Sequence, residues 1–213
     1  MEIIRAKTTF KYGFNDPNQL LGWLEDNPTL IGVCFVGRSN VGKSSSINAL
    51  FGNKTARISK TPGRTREINV FTFEVKEYPG QEFYLFDLPG YGFAKISKDM
   101  SQNWNELMHN FFENVAPSVI VANLQDARRP NQSADIEFSK YISKTDLSTF
   151  LILNKIDKLK TQKERSKLNK LKPELFKQYK NVKRIHFVSA ESKAGIKELE
   201  DSLITSFIEL SNL

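Results

Sequence analysis

The sequence has a single cysteine, Cys34, in 213 residues. No intramolecular disulfide can form, which fits a reducing cytosol. Histidine is almost as scarce, with only His109 and His186. Neither joins a Cys/His cluster of metal-ligand spacing, so a zinc or iron centre is not indicated, and no Ser-His-Asp arrangement is legible. His186 alternates with apolar neighbours as a strand residue does, and His109 falls in a helical stretch near Trp104. Long hydrophobic runs are missing too. Nothing approaches the ~20 apolar residues that cross a bilayer. The N-terminal Met-Glu-Ile-Ile-Arg-Ala-Lys lacks a signal-peptide core. A cytoplasmic protein with no membrane partner is expected. There is no internal repeat and no low-complexity tract. The composition is ordinary and globular, 39% hydrophobic and 26% charged, in a length that suits one domain.

Three short motifs in a fixed order carry the chemistry. The first runs Gly37, Arg38, Ser39, Asn40, Val41, Gly42, Lys43, Ser44. It fits the P-loop pattern of Gly, four residues, Gly, Lys, Ser or Thr. Glycines let the backbone wrap an anion, and the following helix adds its positive end. Lys43 would reach β- and γ-phosphate oxygens, and the Ser44 hydroxyl would ligate Mg²⁺. The context agrees, because the apolar run 31–36 reads as a buried strand and 43–51 as a helix. The second motif, Asp87, Leu88, Pro89, Gly90, ends the apolar run 83–86. An acid at that strand end can hold the magnesium through a water, and the Gly90 N–H can meet the γ-phosphate. The third, Asn154, Lys155, Ile156, Asp157, follows the run 150–153 and selects the base. Asp157 would accept hydrogen bonds from the guanine ring N–H and exocyclic amine. Adenine offers an acceptor there and no amine, leaving a carboxylate unpaired. Asn154 would brace the loop, and the Lys155 stem would cover the base face. A softer fourth piece, Val188, Ser189, Ala190, would lend a backbone N–H to the guanine carbonyl.

Strands are expected near 31–36, 68–75, 82–86, 118–124, 149–153 and 184–188. Helices are expected near 43–51, 98–114, 132–143, 162–178 and 195–210. This alternation predicts an α/β fold with a mixed, mostly parallel six-stranded sheet and helices on both faces, and with the three motifs it reads as a three-layer P-loop GTPase (Ras-like) domain. Glu77-Tyr-Pro-Gly80 reads as the turn of an antiparallel pair. Residues 31–213 read as one GTPase domain. Residues 1–30 read as an extension packed on it, a possible strand followed by the turn-rich Asn15-Asp-Pro-Asn18. Between the first two motifs lies Ser59-Lys-Thr-Pro-Gly-Arg-Thr-Arg66, where a GTPase carries its first switch. Thr61 and Thr65 are both candidates for its Mg²⁺ ligand.

The stretches GRSNVGKSS, KTPGRTREIN and DLPGYGFAK resemble the bacterial EngB (YihA/YsxC) group of ribosome-biogenesis GTPases, within the TrmE-Era-EngA-EngB class. The resemblance covers nearly the whole chain. It implies that Thr65 is the switch Mg²⁺ ligand beside Ser44, and that Gly63, Arg64, Thr65, Arg66 and Glu67 line the phosphates. Lys43, Thr65 and Gly90 are then the catalytic set, with Mg²⁺ and GTP or GDP bound. The resemblance also implies a role in large-subunit assembly and, through it, in cell division and septation. Two departures stand out. In the loop Asp126-Ala-Arg128-Arg129, Arg129 replaces the usual histidine, and the base loop has Asn154 and Ile156 where threonine and alanine are common.

Ras-like proteins place a water-orienting glutamine after the second motif, but here the position is Tyr91. Slow turnover is therefore expected, completed either by a K⁺ ion held at Asn40, as TrmE-like GTPases suggest, or by ribosomal RNA or protein. Charge points the same way. The net is +7, and residues 158–184 alone hold eleven Lys or Arg against Glu164 and Glu174, a local +9. Leu168, Leu171 and Leu175 form an apolar stripe, so these cations should line the outer face of an amphipathic helix and attract phosphate backbones without reading sequence. Lys60, Arg64, Arg66, Arg128 and Arg129 add to the basic surface. The expected partners are GTP and the rRNA of a large-subunit precursor, for a monomer without sequence-specific DNA binding. The competing readings are a signalling-type GTPase with a protein partner and no ribosomal role, and a nucleic-acid module whose nucleotide site is only structural.

Overall fold

Residues that pattern as continuous apolar runs become the centre of one sheet. The computed structural model describes residues 1–57, 67–91 and 98–211, with the side chains of 98–101 and 104 outside the described set. The strands are β1 (Thr9–Phe14), β2 (Gly32–Gly37), β3 (Ile68–Val75), β4 (Tyr78–Asp87), β5 (Val119–Asp126), β6 (Thr149–Asn154) and β7 (Val182–Phe187). The helices are α1 (Pro17–Asp26), α2 (Lys43–Phe51), α3 (Lys98–Asn114), α4 (Ser133–Ile142), α5 (Gln162–Gln178) and α6 (Ile196–Ser211). The sheet order is β1-β3-β4-β2-β5-β6-β7. β4, β2, β5, β6 and β7 run parallel, and β3 pairs antiparallel with both β4 and β1. β2 and β6 are buried along their whole length, as strands covered on both faces must be.

The sheet thus has seven strands, not the six expected. The added strand is β1, whose first five residues are exposed. It lies at the edge, paired with β3 and packed through Tyr12 and Phe14 on Trp23 of α1, with a bulge between Phe10 and Tyr12. The turn-rich segment Asn15–Asn18 proves to be a helix start. The Asp16 carboxylate accepts from the Asn18 and Gln19 N–H groups at 2.8 and 3.2 Å, and Pro17 begins α1. The β3–β4 turn also falls earlier than expected, because Val75 pairs with Tyr78.

One face of the sheet packs Phe35, Phe73 and Phe83 against Phe51 of α2 and Phe207 of α6. The other packs Val70, Phe86 and Val121 against Leu20 of α1, Leu107 and Phe111 of α3 and Ile142 of α4. Cys34 is sealed in this second layer, and burial pushes its thiol pKa up. α5 sets Leu168 and Leu175 on Leu151, Leu153 and Ile185. Among the described residues no helix is long and apolar enough to cross a membrane. The carboxyl ends of the five parallel strands emerge together, and the strand order reverses about β2, with β4 on one side and β5 on the other. Open α/β sheets bind ligands at such a point.

Candidate nucleotide site

The loop from β2 to α2 turns on two glycines, for different reasons. Gly42 has φ +96°, and a Cβ there would meet Asn154 Nδ2 at 2.3 Å. At Gly37 a Cβ would meet the Leu124 carbonyl oxygen at 2.6 Å. The N-terminus of α2 carries no side-chain cap. By contrast, Asp16 caps α1, and Thr161 with Glu164 forms a reciprocal box on α5. The first N–H groups of α2 are therefore free for an anion, where the helix end is positive. Lys43, at the first turn, pairs with the buried Asp87 carboxylate. Leu88 N–H donates to the Phe35 carbonyl at 3.1 Å and Tyr91 N–H to the Gly37 carbonyl at 3.2 Å, stitching 87–91 to the end of β2. Gly90 lies against the loop, since a Cβ there would sit 3.1 Å from the Gly37 carbonyl oxygen and 3.4 Å from Ser39 Oγ. Ser44 follows Lys43 on α2. A hydroxyl and a buried carboxylate beside this cradle are the hard oxygen donors that Mg²⁺ takes.

Asn154, 1% exposed, joins the two ends of the site. Its Nδ2 donates to the Val41 carbonyl at 2.9 Å, and its Oδ1 accepts from Ala190 N–H at 3.1 Å. Lys155 adopts φ 69° and extends its ammonium to the Asn40 carbonyl and to Asp126 Oδ2, 3.1 Å away. Burial raises the Asp126 pKa, but hydrogen bonds from Arg128 and Lys155 outweigh it and bring the group down to about 2. Asp157 behaves alike. Desolvation opposes its ionised form, while Ser189 Oγ at 2.7 Å and Lys158 Nζ at 3.0 Å hold its pKa below the usual carboxylate value. Ser192 N–H fixes Ser189 Oγ in turn at 3.0 Å. An open groove of about 510 Å³, rich in cations, runs between Ser39-Asn40, Arg128-Arg129 and Lys155-Lys158.

The structure therefore gathers residues 37–44, 87–90, 154–157 and 188–190 at one end of the sheet. Val41, Leu88 and Val188 turn their side chains into the core, leaving only backbone for the site. Glu67 is exposed at the head of β3, its carboxylate beside Gly13 of β1. Lys60, Thr61, Gly63, Arg64, Thr65 and Arg66 lie outside the described residues.

Tyr91 is 6% exposed and stacks on Phe138 with centroids 4.7 Å apart. Its hydroxyl donates to Asp135 Oδ1 at 2.9 Å and lies 3.0 Å from Asn123 Oδ1. Burial and the Asp135 charge push its pKa well up. Asp135 also accepts from Arg38 Nε at 2.9 Å and from Gln132 N–H at 3.0 Å, and Arg38 Nη2 donates to the Arg129 carbonyl at 3.1 Å. This buried network, which ties the second motif to the first, was not evident from sequence. Its one local trace is Asp135 at the third position of α4, three residues after the cap Gln132.

Comparisons agree with this geometry. Residues 32–155 match the family model described as 50S ribosome-binding GTPase. A "Probable GTP-binding protein EngB" of Thermotoga maritima is 39% identical over 173 residues, 81% of this chain and 85% of the relative. One of Mesoplasma florum is 38% identical over 192 residues, 90% of this chain and 92% of the relative. A crystal structure of a probable GTP-binding protein engB superposes with TM-score 0.62 at 25% identity, covering 84% of this chain and 99% of that one. A structure of Era in complex with MgGDPNP and nucleotides of 16S ribosomal RNA superposes with TM-score 0.67 at 26% identity, covering 83% and 56%. The P-loop, the base loop and these relatives together make the chain a GTP-hydrolysing member of the EngB family of GTP-binding proteins.

Proposed function

We propose that this protein is a magnesium-dependent GTP switch in assembly of the large ribosomal subunit. On this reading residues 31–213 are its GTPase domain, a cytoplasmic monomer. The observation that carries the reading is the uncapped start of α2, with Lys43 in its first turn and the buried Asp87 beside it. Backbone N–H groups from Ser39 to Ser44 and the Lys43 ammonium embrace the β- and γ-phosphates. The Gly90 N–H meets the γ-phosphate, and Gly63, Arg64, Arg66 and Glu67 line its outer side. Ser44, Thr65 and, through water, Asp87 would hold Mg²⁺, which would neutralise charge on the phosphates. Asp157 accepts from guanine while Ser189 keeps its other oxygen aligned. Lys158 yields its place on Asp157 to the base.

Tyr91 has no amide, and its ring is committed to the core. Intrinsic hydrolysis is accordingly slow; Asn40 would hold a K⁺ ion that supplies positive charge beside the phosphates, or a ribosomal particle would order the switches. A net charge of +7 supports an RNA partner, as does the rRNA bound to the solved Era protein. Two experiments test the reading. Asp157→Asn should exchange guanosine for xanthosine nucleotide preference, and unchanged GTP affinity counts against the base loop. Co-sedimentation with large-subunit particles should depend on whether GTP or GDP is bound. Equal binding in both states removes the switch.

A further inference from the structure

Ten Lys and Arg residues lie between Lys160 and Arg184, and among the described residues none of them joins an ion pair. Most described cations elsewhere do pair with a carboxylate, from Arg5 with Glu200 to Lys197 with Asp201. The two acids within the tract do not compensate. Glu164 is occupied by the cap of α5, and Glu174 stands exposed without a partner among the described residues. Lys163, Lys167 and Lys170 follow helical spacing along the outside of α5, and Lys183 and Arg184 continue the tract on the edge strand β7. The two elements meet where Lys172 Nζ lies 5.7 Å from the Phe187 ring.

Within this tract one side chain breaks the pattern. Phe176 is 40% exposed, the one large apolar side chain so exposed among residues 158–184. It is not part of the buried stripe, which runs through Leu168 and Leu175. A lone exposed aromatic is ordinary on a protein surface. Its neighbours are what distinguish this one: Lys172 stands one turn before it and Lys177 beside it, with Lys180 just past the helix.

We propose that the α5–β7 face binds a single-stranded segment of RNA, with phosphates on the lysines and one unstacked base on the Phe176 ring. The proposal rests on the ribosomal reading and adds to it the strand state and the residue. Duplex backbones need only charge, whereas an aromatic face is useful where a base is splayed out. An anionic lipid surface fits less well, since the apolar stripe of α5 is already packed on β6 and β7 and has nothing further to insert.

The test is fluorescence anisotropy of the full chain with a labelled single-stranded oligoribonucleotide and with the matching duplex, between about 50 and 200 mM salt. Phe176→Ala should weaken single-strand binding about tenfold or more while leaving duplex binding and the salt slope unchanged. Phe176→Trp should retain the affinity, and Phe176→Leu, apolar but without a π face, should not. Lys167→Gln and Lys170→Gln should each reduce the single-strand salt slope by about 0.7. Equal single-strand affinity for wild type and Phe176→Ala overturns the proposal. So does full affinity in Phe176→Leu, which shows that no base stacks on the ring, or a Phe176 effect seen only with anionic phospholipid vesicles. If the wild type binds neither RNA form at any salt, the ribosomal reading fails with it. GDP affinity and melting temperature should be unaltered in all variants.

Discussion

Asn154→Ala tests whether the two ends of the nucleotide site are braced by the protein itself. The amide is buried, donates to the Val41 carbonyl at 2.9 Å and accepts from Ala190 N–H at 3.1 Å. Truncation leaves one backbone acceptor and one donor without partners. Each such loss costs about 1–3 kcal/mol when water is excluded. Ala190 is only half-buried and can recover a water, so about 2–4 kcal/mol in total is expected. Urea unfolding of the nucleotide-free protein reads this directly as a lower midpoint at unchanged slope. A fluorescent GDP titration should show affinity at least tenfold weaker, because an unbraced loop must order on binding. The ranking of guanosine over adenosine and xanthosine nucleotides should persist, since Asp157 and Ser189 are untouched. Asn154→Asp, nearly isosteric, should be worse than alanine, because it sets a carboxylate against the Val41 carbonyl. If affinity drops while nucleotide-free stability stays at wild type, Asn154 acts on the ligand and not on the fold. That result would refute the bracing argument.

Two further outcomes follow. Tyr91→Phe removes a hydroxyl held by Asp135, so unfolding should cost about 1 kcal/mol less, with single-turnover GTP hydrolysis within about threefold of wild type. A hundredfold loss of turnover would show that the hydroxyl serves the reaction. His186 is depressed from 6.5 to about 4 by burial first and by Arg184 and Lys172 next, and it stays neutral in the folded protein. The unfolded chain binds the proton first, so stability is complete above about pH 6.5 and declines as pH falls toward 4. For a half-buried ring the decline is about 1–3 kcal/mol, and it should be visibly shallower in thermal melts of His186→Gln. Parallel pH profiles in the two proteins would contradict the assignment.

The sequence was most readable where physics acts locally. β2 and β6 are buried on both faces, so their composition is uniformly apolar and their limits clear. The glycines and Lys43 of the first loop are dictated by backbone shape and charge, which leaves a short, ordered signature. α1 was obscure because Asp16 and Pro17 serve a turn and a helix start equally well; only the chain beyond them decides. The Arg38–Asp135–Tyr91 network was illegible for another reason. Arg38 and Asp135 are 97 residues apart and Tyr91 and Asp135 are 44 apart, so each looks like an ordinary surface polar residue until the sheet assembles.

β1 gives the fold one protection that the nucleotide site does not share. It occupies the outer edge of β3, a strand of eight mostly buried residues, and its own outer edge is broken by the bulge between Phe10 and Tyr12. A chain shorn of its first fourteen residues would present β3 as a long, flat, apolar template with unpaired amides and carbonyls. Such a protein would keep every group proposed above to hold GTP and still fail, by pairing with copies of itself. Its defect would be registered in light scattering long before any nucleotide titration revealed one.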